Sequence, residues 1–492
     1  MKINLYIGIG AFLFGLWGCS PDDRDDFEPV RPNIIFPGGA STAAEREEEV
    51  DIQFVLKNGA NTVSVQANGE DLTFEPSSEE QTISFSVTVP VDAELEEEFP
   101  VAIIVTDELD RVLEREFSII VIKETIPFPT AVVDSDLRLD STFNYLITED
   151  VEVANGATLT IPPFTNVVFS SDTATTGEFL QLEVEVGGRL VVEGTAERPV
   201  VFTSDRGIAG AGEGGQWARI KINGADGVSS GVLRYVRIEY GGLDEPALRL
   251  DDVDASTEIE YVQIYESANI GLELRGGTVN LKHMVFTNNA RMNIEYDNGD
   301  TDYSGFGQFL VLENSDFTSK ESGTDAFREL EVRDDAEVTL SNVTILGPGT
   351  AGGGADAVRI RDDAGFTKFY NILMAEFPDD GFRFDLNTDN VNMEPDGDYI
   401  LAHSYIFQIA DQPTRDGDDA ILVYETNASA YSNVIQPMGT PDAAEGIESG
   451  NFVPDAPIAS DFDPSSIDPF FDSAPFVGAI GDTDWTSGWT RD

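Results

Sequence analysis

One short pattern, apolar-x-x-apolar-x-apolar, returns along the chain and restricts its fold more than any other feature. It reads Leu233-Arg234-Tyr235-Val236-Arg237-Ile238, then Ile259-Glu260-Tyr261-Val262-Gln263-Ile264 and Leu281-Lys282-His283-Met284-Val285-Phe286. It comes back as Leu340-Ser341-Asn342-Val343-Thr344-Ile345 and Phe369-Tyr370-Asn371-Ile372-Leu373-Met374, with looser copies ending at Phe317 and Phe407. Its closing position recurs every 22–33 residues. A second strand type is interleaved, with one polar residue between two apolar ones: Leu248-Arg249-Leu250, Leu272-Glu273-Leu274, Ile294-Glu295-Tyr296, Leu330-Glu331-Val332, Val358-Arg359-Ile360, Phe382-Arg383-Phe384 and Ile421-Leu422-Val423. Short strands at this spacing, with no helical period between them, predict the coils of a parallel β-helix. A single coil cannot bury its apolar face, so neighbours stack about 4.8 Å apart and share a core. About ten such coils fit into residues 130–440. Leucine-rich repeats are shorter and more regular, and propeller blades need four antiparallel strands.

The rest of the chain divides around this repeat. Residues 49–125 hold alternating segments such as Val50-Asp51-Ile52-Gln53-Phe54-Val55 and Thr82-Ile83-Ser84-Phe85-Ser86-Val87, with Asn58-Gly59 and Asn68-Gly69 as turns. That spacing predicts a small immunoglobulin-like β-sandwich. Residues 20–48 read as a flexible acidic linker, and residues 441–492 as a C-terminal segment capping the coils. The expected fold class is therefore all-β.

Charge narrows the partners. The chain has 29 basic and 91 acidic residues, a formal charge of −62, which excludes nucleic-acid binding because that affinity comes from neutralising phosphates. Only seven of the basic residues are lysines, and the acids are spread along the whole chain. Such an even acidic coat resembles proteins of salt-loving or marine bacteria; an acidic surface that collects divalent cations fits the same composition. The lone cysteine forbids an internal disulfide. It ends an apolar run, as Leu16-Trp17-Gly18-Cys19, and that layout resembles the bacterial lipobox, implying a signal peptide over residues 1–19 and a lipid on Cys19. The acidic stretch Ser20-Pro21-Asp22-Asp23-Arg24-Asp25-Asp26 resembles the signal that sends Bacteroidota lipoproteins to the outer face of the outer membrane.

Residues 143–205 carry a further resemblance. The stretch Val153-Ala154-Asn155-Gly156-Ala157-Thr158-Leu159-Thr160-Ile161-Pro162-Pro163, followed by Gly187-Gly188-Arg189-Leu190-Val191-Val192-Glu193-Gly194-Thr195, is similar to the opening coils of right-handed parallel β-helix proteins of the pectate-lyase-like superfamily. With Gly215-Gln216-Trp217-Ala218-Arg219-Ile220 and the closing Trp485-Thr486-Ser487-Gly488-Trp489, the succession resembles a group of Bacteroidota envelope lipoproteins.

That superfamily includes polysaccharide lyases and hydrolases, so the resemblance implies carbohydrate cleavage as one reading. Asn387-Thr388-Asp389, Asp379-Asp380 and Arg219-Ile220-Lys221 match fragments of the polygalacturonase signature, but in scrambled order and without its Gly-His-Gly. The two histidines, His283 and His403, are too few for a His-rich zinc site. The acid pairs Asp251-Asp252, Asp334-Asp335 and Asp362-Asp363 follow strands of the second type, so stacking in register would gather them at one turn. Calcium prefers such oxygen clusters, whereas Arg333 and Arg361 could equally offset them on a solvated edge. Tyrosines 235, 240, 261, 265 and 296 recur near strand ends, where they either stack on sugars or pack structurally. The leading expectation is a non-catalytic, surface-displayed binding or scaffold protein. Its partner would be a polysaccharide, another envelope protein or an outer-membrane nutrient transporter. The alternative is a polysaccharide lyase or glycoside hydrolase.

Overall fold

A computed structural model describes residues 30–172, 180–314, 327–351, 355–362, 364–386, 399–410, 414–416, 447 and 451–491. The chain forms two compact units, divided between Ile122 and Lys123.

The first unit is a two-sheet sandwich. Strand Glu49–Lys57 shows why: Val50, Ile52, Phe54 and Leu56 are buried, while Glu49, Asp51 and Gln53 are exposed, the period of a half-buried strand. One sheet runs in the order Asn33–Ile35, Glu49–Lys57, Gln81–Thr88. The other runs Ser41–Glu45, Val112–Ile122, Glu98–Asp107, Thr62–Ala67, Glu70–Asp71. Ser41–Glu45 lies parallel to Val112–Ile122 while the other pairings are antiparallel, the pattern of an immunoglobulin-like sandwich. Part of the expected linker, residues 20–48, is therefore sheet. Ile34 and Ala44 are buried in the two cores, and the chain crosses between sheets at Pro37-Gly38-Gly39, where Gly39 takes φ 100°. Charged flanks disguised these short edge strands.

The second unit is the parallel β-helix. Among the described residues it has an eleven-stranded and a fifteen-stranded sheet, with every rung parallel. Its first strand is Thr125–Pro127, slightly before the expected start. A continuous core runs through the coils from Val133 to Ile406. Early coils spend residues 194–199 turning between Arg189–Glu193 and Val200–Ser204. The strand Gly231–Glu239 pairs with both of them and turns at Tyr235 alone, at φ 50°. Later coils repeat this one-residue corner at Tyr261, His283, Phe309, Asn342, Asn371 and His403, all with φ between 53° and 59°.

Register corrects three expected strand positions. Phe286 stacks on Leu312, and Leu312 on Ile345, so Leu312 closes the coil assigned to Phe317; Phe317 itself lies outside the described residues. Met374 stacks on Ile406 rather than Phe407. The confusion has one cause: Val311 and Phe407 face away from the main core yet are buried in other apolar clusters, so both faces of these strands read apolar. Ile421-Leu422-Val423 also lies outside the described residues, and Thr414–Asp416 supplies the pairing next to Phe382–Leu386.

The C-terminal segment was expected to cap the coils. Residues 451–491 lie instead along their flank, working back from late coils to early ones. Phe462 stacks on Tyr370 and His403, Asn342 donates to the carbonyls of Ala474 and Phe476, and Trp489 sits edge-on to Tyr235 and Tyr261. The outward apolar residues Val285, Val311, Leu346 and Leu373 make this flank sticky, and the strap buries them.

Candidate binding face

In the eleven-stranded sheet, alternate residues point to the core and away from it. Leu248, Leu272, Ile294, Leu330 and Val358 point inward. The residue after each points outward, and register aligns Glu183, Lys221, Arg249, Glu273, Glu295, Glu331, Arg359 and Arg383 in one column. Two residues further along each strand, Asn223, Asp251, Arg275 and Asp297 form a second column. Neighbours in a column are about 4.8 Å apart, so three glutamates in a row must be neutralised from the side. The arginines do this. Arg249 Nε reaches Asp251 at 2.8 Å and Glu273 at 3.5 Å. Arg333 bridges Glu295 at 2.9 Å and Asp297 at 2.6 Å. Glu331 takes Arg328 at 2.6 Å and Arg361 at 3.0 Å.

The face changes character along its length. Around Glu183, Arg219, Lys221, Arg249 and Asp251 the paired side chains are partly exposed, with Lys221 at 2.9 Å from Glu183 and Arg219 at 2.5 Å from Glu245. Further on, Glu295 and Glu331 are buried although they point away from the core, and Arg328, which pairs with Glu331, is buried too. Desolvation lifts the Glu295 carboxyl to about 7; Glu331 and Glu273 add to the rise and Arg333 opposes it. Glu273 is raised by burial against the pull of Arg249 and Arg275. Burial also lowers the Arg328 guanidinium, with Glu331 opposing. Beside this row Asn289, Asn293 and Glu329 form a buried polar chain, Asn289 donating to Asn293 at 2.7 Å and Asn293 to Glu329.

The expected calcium residues do not gather at one turn. Asp251 belongs to the ion-pair lattice, and Asp252 accepts from the Thr301 amide at 2.9 Å and its hydroxyl at 2.6 Å. Asp334 and Asp335 form a left-handed turn at φ 50° and 61°, with Asp334 3.6 Å from Arg333. Three strand steps separate this turn from the Asp251-Asp252 strand, or about 14 Å at 4.8 Å per step. Asp362 ends the strand Ala355–Asp362; its side chain and the whole of Asp363 lie outside the described residues, as does Cys19. Asp334 and Asp362 do follow neighbouring strands, two residues beyond the paired Val332 and Ile360, but the Asp251-Asp252 strand is three steps away, so the three pairs do not share one turn.

A different trio can offer a cation three oxygens. Asp356, Asp379 and Asp380 have ligand atoms within 4.8 Å of one another. Asp356 and Asp380 are buried; Asp356 Oδ2 meets Arg383 at 3.2 Å, while its buried Oδ1 has no hydrogen-bond partner among the described residues. Burial raises the Asp356 carboxyl, Arg383 opposing and Asp379 adding to it. Asp379-Asp380 lies about six strands from Arg219-Ile220-Lys221, and Asn387-Thr388-Asp389 is outside the described residues, so the scattered polygalacturonase fragments share no site among the described residues.

The tyrosines are not a bare stacking platform. Tyr235, Tyr261, His283 and Phe309 form a stack with successive ring centroids 4.4, 4.3 and 4.8 Å apart, edged by Trp485 and Trp489. His283 Nδ1 also lies 3.1 Å from Glu260. Arg491 lies over Tyr240 and Tyr265, and Tyr296 is buried against Tyr303.

Comparison with known proteins bears on the second unit. The family model described as pectate-lyase like beta helix domain matches residues 131–228 and 221–490. No curated protein matches the chain. Among solved structures, the catalytic domain of a GH87 alpha-1,3-glucanase in complex with nigerose is similar at 10% identity and a TM-score of 0.29, covering 81% of this chain and 91% of that one. A likeness that loose carries no functional argument.

Proposed function

The chain belongs to the pectate-lyase-like β-helix family, and from that premise we propose that it is a recognition protein whose outer sheet face holds a polysaccharide. One observation carries the reading: the two-column lattice around Glu183, Lys221, Arg249 and Asp251 sets partly exposed donors and acceptors side by side at the coil spacing. A hydroxyl-rich polymer laid along the coils meets carboxylates and cations side by side, and charge-assisted hydrogen bonds are the strong ones. The glutamates of the column are held by Lys221 and by arginines, which suits binding better than attack on a bond. Display through a lipid on Cys19 at the outer face of an outer membrane is part of the proposal and rests on the sequence of residues 1–26.

The test is a glycan array on the chain lacking residues 1–19, repeated with Lys221→Ala and Arg249→Ala. Retention of one glycan class, weakened at least tenfold by either substitution, is expected; an empty array sinks the reading. A second reading, glycoside hydrolase or lyase, is favoured by Glu295 alone: a carboxyl protonated to about pH 7, one coil from Glu331. Acid catalysis of glycoside cleavage uses such a raised carboxyl. Reducing-sugar or unsaturated products that vanish in Glu295→Gln would replace the first reading with the second.

A further inference from the structure

The flank beneath the C-terminal strap has the features of a peptide-binding groove. Its polar contacts are addressed mainly to main chain. Gln308 donates to the Asp472 carbonyl at 3.0 Å and accepts from the Asp472 amide at 2.8 Å. Gln263 makes the same two-bond ring with Arg491, at 2.7 Å each way. Asn342 and Asn371 donate to strap carbonyls, both reaching Ala474. Side-chain amides thus do what a neighbouring strand's backbone does when a peptide joins a sheet edge. Pockets between them take anchors: Trp489 is buried with Val285, Val311, Ala479 and Ile480, and Trp485 lies edge-on to His283.

Such a groove does not distinguish its own strap from that of another molecule. Residues 417–446 join the last described coil strand to Ile447, which is packed in the apolar cluster of Leu346 and Leu373. Thirty residues span at most about 100 Å when extended, whereas eleven stacked strands measure roughly 50 Å. The connection is long enough to reach a neighbour's flank. We propose that the groove of one chain accepts the C-terminal segment of a second copy, giving strap-exchanged pairs wherever the local concentration of chains rivals the tether's effective concentration. This goes beyond the polysaccharide reading and does not depend on it, because the flank and the outer face of the eleven-stranded sheet are different surfaces.

The test is to co-express two differently tagged copies of the full chain, each with a protease site in residues 441–446. Mixed pairs that survive dilution are expected, and cutting them should leave each strap bound to the other copy's coils. Trp485→Ala with Trp489→Ala should lower the mixed pairs at least tenfold while β-sheet circular dichroism stays unchanged. Absence of mixed pairs, pairs whose cut straps stay on their own coils, or pairs that persist in the double variant would each overturn the proposal. Should the double variant not fold, a labelled synthetic peptide of residues 451–492 takes its place during refolding. Its uptake at the expense of the pairs supports the exchange, and pairs indifferent to it overturn the exchange.

Discussion

Glu295 shows what the stacking of coils does to a single side chain. In an isolated strand it would be an ordinary surface glutamate. In register it has Glu273 on one side and Glu331 on the other, loses its water, and is raised to about 7 despite Arg333. Between about pH 4.5 and 7 the folded chain then holds a proton that the unfolded chain has released. Its contribution favours the fold at low pH and is lost as pH rises through that window. A shift of this size corresponds to at most about 3 kcal/mol. Melting temperatures of wild type and Glu295→Gln should therefore diverge in slope, the wild type losing more stability between pH 5 and 8. Parallel curves would mean that Glu295 titrates as an ordinary carboxyl in the fold.

At the scale of the strand, the corner explains the pattern that marked the repeat. In Leu233-Arg234-Tyr235-Val236-Arg237-Ile238, a strict alternation would give apolar-x-apolar. The extra residue is the left-handed corner Tyr235, which restarts the alternation at Val236. The coils were therefore legible because the bend is written into the spacing. The charged column was legible too, as the middle residue of each Leu-Glu-Leu or Val-Arg-Ile triplet, but only once those triplets are stacked. The Asp pairs misled because a shared position after strands of one type does not say how many coils lie between them, and three strand steps separate Asp251-Asp252 from Asp334-Asp335. The strap was invisible for another reason: its apolar contacts on Val285 and Val311 look in sequence like core residues of their own strands. Corners also predict a mutational order. Asn342 sits at φ 56° and its amide donates to two strap carbonyls. Asn342→Gly keeps the backbone at ease and loses those bonds, about 1 kcal/mol each. Asn342→Val loses them and forces a β-branched residue into the left-handed region, adding about 1–3 kcal/mol. Urea midpoints should fall in the order wild type, Gly, Val; equal midpoints for the two variants would show that the corner carries no strain.

For the whole molecule the governing quantity is the charge of −62. Salt can relieve its self-repulsion only where the Debye length is shorter than the spacing of the charges. That length is about 10 Å at 0.1 M and about 3 Å at 1 M, while column neighbours lie about 4.8 Å apart. Physiological salt therefore leaves neighbouring coils unscreened, and stability should keep climbing between 0.1 and 1 M sodium chloride instead of levelling off. A melting temperature that is flat over this range would show that the arginine lattice already neutralises the acids. Calcium separates screening from binding. Matched to sodium chloride in ionic strength, it acts beyond screening only where oxygens converge, as at Asp356, Asp379 and Asp380. There the buried Asp356 Oδ1 has no hydrogen-bond partner among the described residues, and Arg383 is the competing cation. An additional calcium-dependent rise in melting temperature is expected, and Asp379→Asn should remove that addition while leaving the sodium chloride response intact. If calcium and sodium chloride act identically at equal ionic strength, the acidic coat answers to salt alone and the trio is held by Arg383.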